Sequence, residues 1–296
     1  MKWLLILTAL VATSSFAQVN KCLIDGKLVY TDQECPGNTE QKHELKQEWV
    51  TQTRPSLNNS PTDGEKRARK DTYIKGLRLL PPTTSAGERL AKLGIQSGYV
   101  TRDENPGNGK YFCGALSLQK SNRAKKTIDT ALLKIPRPVL EKLNLKYLVL
   151  CDRAESRGKK IGGIPIPPLN LLMLSVAGAD SNHLQHLVIH ELYHFIEYRF
   201  NAFEDATWKK QFPRGYKNSY EGINNKTVIE QANLGFINDY ARSFPHEDRA
   251  ELFSSLLINP GKLIGYANKN HDILLKKKIQ FIKEKSRRLT GNNILK

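Results

Sequence analysis

The feature that most constrains this chain is His190-Glu191-Leu192-Tyr193-His194, an H-E-x-x-H match inside residues 181–200. Leu184, Leu187, Val188, Leu192, Phe195 and Ile196 recur there at three and four residues, which predicts one long helix with a core-facing stripe, capped by Asp180 or Ser181. Histidines four apart lie one turn apart on the same helix face, so both imidazoles reach one metal ion. Glu191 leans toward the same point, where it can take a proton from water. Seven histidines and seventeen glutamates in 296 residues predict roughly 0.01 such matches by chance.

A catalytic zinc, one per chain, needs a third protein ligand and a fourth position open to water. Glu197 and Asn201 stand where an H-E-x-x-H-x-x-G-x-x-H site would have glycine and histidine, so the ligand comes from further on. Residues 244–257 read as a second helix, entered through Pro245, with Ala250, Phe253, Leu256 and Leu257 as its apolar stripe. Glu247 and Glu251 are four apart on it, so one can bind the metal while the other orients a ligand histidine. The simpler alternative makes both exposed acids of a first turn. His186 reads as a supporting or inert residue, and His183 and His246 as ordinary surface or cap residues.

H-E-x-x-H followed by E-x-x-x-E on a second helix resembles the gluzincin metallopeptidases. The stretch Gly235-Phe236-Ile237-Asn238-Asp239-Tyr240-Ala241, running into Glu247 and Glu251, is similar to a bacterial zinc-binding metallopeptidase family and to lethal-factor-like peptidases. The likeness spans about residues 170–257. It implies that His190, His194 and Glu247 bind zinc, that Glu191 is the general base, that Glu251 supports a ligand from behind, and that Tyr240 donates to the developing oxyanion. It also implies a peptide or protein substrate. Tyr193 departs from the glycine common before the second histidine, which would narrow the site, and Phe244 from an asparagine.

The fold expected is α+β: a zincin-like domain over residues 73–296 with a small mixed sheet, after a β-hairpin module at 18–37 and a linker at 38–72. Strands are expected at 111–119, 146–151 and 169–176, helices at 85–95, 127–133 and 138–143, and a loop through Gly162, Gly163, Pro165, Pro167 and Pro168. Residues 169–176 are the expected sheet edge for an extended substrate. Phe203, Trp208, Phe212, Tyr216 and Tyr220 form either a cleft wall or a satellite core.

Residues 1–17 read as a cleaved signal peptide: Lys2, a ten-residue apolar run at 3–12 broken only by Thr8, then Ser15-Phe16-Ala17. No other stretch suits a transmembrane span. The expected location is periplasmic or secreted. There the even set Cys22, Cys35, Cys113 and Cys151 favours disulfides, paired Cys22–Cys35 and Cys113–Cys151. Two short alternating runs flank Asp25-Gly26, a hairpin signal. With Lys21-Cys22 and Tyr30-Thr31-Asp32 the run resembles a small N-terminal module of bacterial envelope proteins, to which no chemistry attaches.

The net charge of +17 favours an anionic partner such as an envelope polymer, although no specific nucleic-acid motif is present. Lys276, Lys277, Lys278, Lys283, Lys285, Arg287 and Arg288 crowd a terminal helix, which reads first as a solvated face and second as a polyanion- or membrane-binding surface. Two other functional classes stay open at this level. One is an envelope binding module with a structural metal and a basic surface; the other is a zinc amidase acting on cell-wall peptides.

Overall fold

A computed structural model of the chain describes the backbone of residues 20–24 and 27–31. It also describes residues 74 and 76–295, apart from 108, 201, 203–204, 224–233 and 292. These fall in two units, within residues 1–60 and 61–296. In the first, β1 (Asn20–Ile24) and β2 (Lys27–Thr31) pair antiparallel with Ile24 opposite Lys27. Asp25, Gly26 and Cys35 lie outside the described residues, and with Cys35 so does the expected Cys22–Cys35 pairing.

The second unit is mixed α+β. In chain order it contains β3 (Leu77–Leu79), α1 (Ser85–Lys92), β4 (Gln96–Val100), β5 (Tyr111–Cys113), α2 (Leu118–Leu132), α3 (Arg137–Leu143) and β6 (Tyr147–Cys151). Then come β7 (Ala154–Ser156), β8 (Lys159–Ile161), β9 (Gly163–Ile166), a 3-10 turn (Pro167–Leu169), β10 (Leu171–Ser175) and α4 (Ser181–Arg199). The chain continues through α5 (Asp205–Gln211), a second 3-10 turn (Tyr240–Arg242), α6 (Pro245–Ile258), α7 (Pro260–Lys269) and α8 (Ile273–Thr290).

Five strands form one sheet in the order β3-β4-β6-β10-β9, with β4, β6 and β10 parallel and the two outer strands antiparallel to their neighbours. Alternation along β6 and β10 sorts the core. Leu148, Leu150, Leu172 and Leu174 face the helices, while Val149, Cys151, Leu171 and Met173 face a second cluster that includes Cys113 and Ala154. That second cluster joins the antiparallel sheet β5-β7-β8, and the Cys113–Cys151 disulfide ties β5 to β6 as expected. Closing a loop of 38 residues removes unfolded-chain entropy worth about 4 kcal/mol.

Three expectations are corrected. The strand at 111–119 ends at Cys113, because Ser117 caps α2 by accepting from Lys120 N. The glycine–proline loop contains β9. And 169–176 is an interior strand: β10 lies between β6 and β9, so β9 is the edge on that side. The Ser175 amide donates to Gly162 O (2.7 Å), which turns Gly162, Ile164 and Ile166 toward β10 and the backbone polar groups of Gly163 and Pro165 outward. Proline lacks an N–H, so it is tolerated at such an outward position.

Buried charge fixes the helices. Arg249 donates to both Glu197 oxygens (2.7 and 3.1 Å), and Lys285 donates to the same carboxylate at 2.6 Å. Lys278 donates to Asp248 at 2.7 Å, under the ring of Phe236 at 3.7 Å from its centroid. Lys278 and Lys285 are therefore not part of a basic surface, as the terminal run suggested; they bind α8 to α6 and α4. No helix among the described residues is long and apolar enough to cross a membrane.

Candidate metal centre

Helix α4 begins where Asp180 accepts from the His183 amide (2.8 Å), and it runs under the sheet with its predicted apolar stripe buried. Helix α6 starts at Pro245, and both of its first-turn-side glutamates are buried at 5% exposure, which removes the exposed-acid reading. The two helices pack side by side, bringing residues 57 apart in sequence into contact.

Three donor atoms converge. His190 Nε2 lies 2.9 Å from Glu247 Oε2, His194 Nε2 lies 3.2 Å from the same oxygen, and the two ring nitrogens are 3.1 Å apart. Two imidazoles and a carboxylate are the donor set of a hydrolytic zinc site, and zinc–donor bonds of about 2.0–2.2 Å in a tetrahedron put neighbouring donors about 3.3 Å apart. The cluster is compatible with a zinc ion in both chemistry and spacing.

The support behind these donors is unusually charged. His190 Nδ1 lies 2.8 Å from Glu251 Oε1, out of line for a straight hydrogen bond. The same oxygen is 3.0 Å from His186 Nε2, and Ser254 Oγ lies 3.2 Å from that nitrogen. Asn238 Nδ2 donates to Glu251 Oε2, while its Oδ1 accepts from the Ala241 amide at 2.7 Å in the turn that carries Tyr240. One amide thus links the carboxylate behind His190 to the backbone beside Tyr240.

Charge balance follows from burial and pairing. Burial alone would lower His190, yet its hydrogen bond with Glu247 and the attraction of Glu247 and Glu251 hold it well above the ordinary histidine value. Burial alone would raise Glu247 and Glu251, but their histidine partners hold both below the usual carboxylate range. Glu191 differs: burial pushes it up, opposed by His190 and His194. Its carboxylate makes no hydrogen bond among the described residues, and Gly163 of β9 lies against its side chain.

Tyr240 sits with its ring centroid 5.8 Å from that of His190. Burial, then the Glu247 and Glu191 charges, raise its hydroxyl, so it stays a proton donor. Other residues escaped the sequence reading. Tyr220 donates to Glu247 Oε1 (2.6 Å), and His246 Nε2 lies 3.4 Å from that oxygen, so His246 is a site residue and not merely a cap. Phe244 packs on both, with ring centroids 4.7 Å from Tyr220 and 5.4 Å from His246. Of the other aromatics, Trp208, Phe212 and Tyr216 belong to the core, and Phe203 lies outside the described residues. Tyr193 does not narrow the site: it is buried against Phe253, with centroids 4.8 Å apart.

No family profile matches the chain, and no curated relative matches it. Among solved structures the chain is similar to a "putative zinc-binding metallo-peptidase" of Bacteroides caccae, at 14% identity and a TM-score of 0.46, covering 79% of this chain and 90% of that one.

Proposed function

We propose that this protein is an exported zinc-dependent peptidase in which His190, His194 and Glu247 hold the metal and Glu191 is the general base. The observation that carries this reading is the convergence of His190 Nε2, His194 Nε2 and Glu247 Oε2 within 3.2 Å of one another, beside a buried carboxylate that makes no hydrogen bond among the described residues. A structural metal would give Glu191 no task, which disfavours the binding-module alternative. The Cys113–Cys151 bridge supports work in an oxidising compartment.

Zinc bound there supplies Lewis acidity, making its water more acidic and polarising the scissile carbonyl. The chain's own residues do the rest. An extended peptide lies along the outer edge of β9, where Gly163 offers N–H and C=O and Pro165 offers C=O alone. Glu191, against Gly163, takes the proton as water attacks the carbonyl carbon. It returns that proton to the amine nitrogen as the C–N bond breaks. Tyr240 donates to the carbonyl oxygen as its charge grows. Glu251, held by His186 and Asn238, keeps His190 oriented.

The test is hydrolysis of a quenched peptide library by the parent and by Glu191→Gln. A general base of this kind is worth about 10²–10⁴-fold, so the variant should lose at least that much while keeping its metal. Equal rates in the two proteins would refute the assignment. Activity confined to cell-wall peptides would favour the amidase form of the same chemistry.

A further inference from the structure

Glu247 has two oxygens with separate tasks. Oε2 faces His190 Nε2 and His194 Nε2 at 2.9 and 3.2 Å, while Oε1 accepts from the Tyr220 hydroxyl at 2.6 Å. A carboxylate beside a metal can offer one oxygen or both. Offering both would add a fifth donor and crowd the position that water and a substrate carbonyl need.

We infer that Tyr220 is a positioning residue: its hydroxyl occupies Glu247 Oε1 and so restricts Glu247 to a single-oxygen ligand, keeping the remaining metal position open. This rests on the metal reading above and adds a residue that no motif marks. Two observations fit it. The Tyr220 ring is braced by Phe244 and Tyr240, with centroids at 4.7 and 6.1 Å, so the hydroxyl is aimed by packing. The other group near Oε1, His246 Nε2, stands further off at 3.4 Å and cannot replace a bond of 2.6 Å.

The ring is about half exposed, so removing one oxygen leaves the fold intact. The experiment loads cobalt(II) into the parent and into Tyr220→Phe and compares metal content, thermal melts and visible d–d absorption. Cobalt absorbs strongly when four-coordinate and weakly as further donors bind. The inference predicts equal cobalt content, equal melts and a loss of d–d intensity in Tyr220→Phe. It also predicts a fall in peptide turnover of about 10- to 100-fold, the scale of an outer-shell partner. An unchanged spectrum would overturn it. So would a folded Tyr220→Phe that binds no metal, because the hydroxyl would then be needed for binding and not for denticity. A folded parent that takes up neither cobalt nor zinc would instead sink the metal reading itself.

Discussion

Gly163 on the edge strand β9 and Glu191 on α4 touch: a β-carbon on Gly163 would stand 2.7 Å from Glu191 Cγ and 3.1 Å from its carboxyl carbon. The strand proposed to hold substrate therefore also sets the position of the proposed base. Gly163→Ala should displace Glu191 without touching the donor atoms. An error near 1 Å in a reacting group costs about 10²-fold. The variant should lose roughly that much turnover and retain its zinc; full turnover with zinc retained would contradict the arrangement.

Asp248 follows Glu247 directly, and it is held by Lys278, Tyr216 and Trp208 at 2.7, 2.5 and 3.2 Å. Removing one partner of a buried pair costs about 3–5 kcal/mol, because the other charge is left uncompensated. Lys278→Ala should show that loss in denaturant midpoint. The double change Lys278→Met with Asp248→Asn should cost much less, since it leaves no buried charge behind. A Lys278→Ala protein as stable as the parent would show that the pair does not anchor α8.

His190 gives a pH dependence of definite sign. Its folded pKa lies above the ordinary value of 6.5, so in chelated protein it contributes stability below about pH 6.5 that is lost as pH rises through the folded value. Metal must displace that proton. Zinc affinity should therefore keep tightening as pH rises past the ordinary histidine value, with proton release visible in calorimetry across buffers of different ionisation heat. A plateau beginning near pH 6.5 would mean that Glu247 and Glu251 do not hold the proton on His190.

Much of the centre was legible because helical periodicity fixes it. His190, Glu191 and His194 share a face by spacing alone, and Glu247 and Glu251 repeat that geometry on α6. What could not be read came from long-range pairing. β9 looked like a loop because its glycine and proline suppress the strand pattern, and only sheet order made it an edge in place of β10. Lys278 and Lys285 looked like solvated charge because their partners, Asp248 and Glu197, lie 30 and 88 residues away. Tyr220 carried no spacing signal toward Glu247, 27 residues downstream. Asn238 and His246 lay within or beside the stretches that drew attention, yet their roles depend on which atoms face Glu251 and Glu247.

The most direct test of the account is the metal content of the protein, purified from an oxidising compartment, measured beside His190→Ala. About one zinc per chain is expected in the parent and none in the variant. A folded parent without zinc after reconstitution, or a His190→Ala protein that keeps its full zinc, would contradict it.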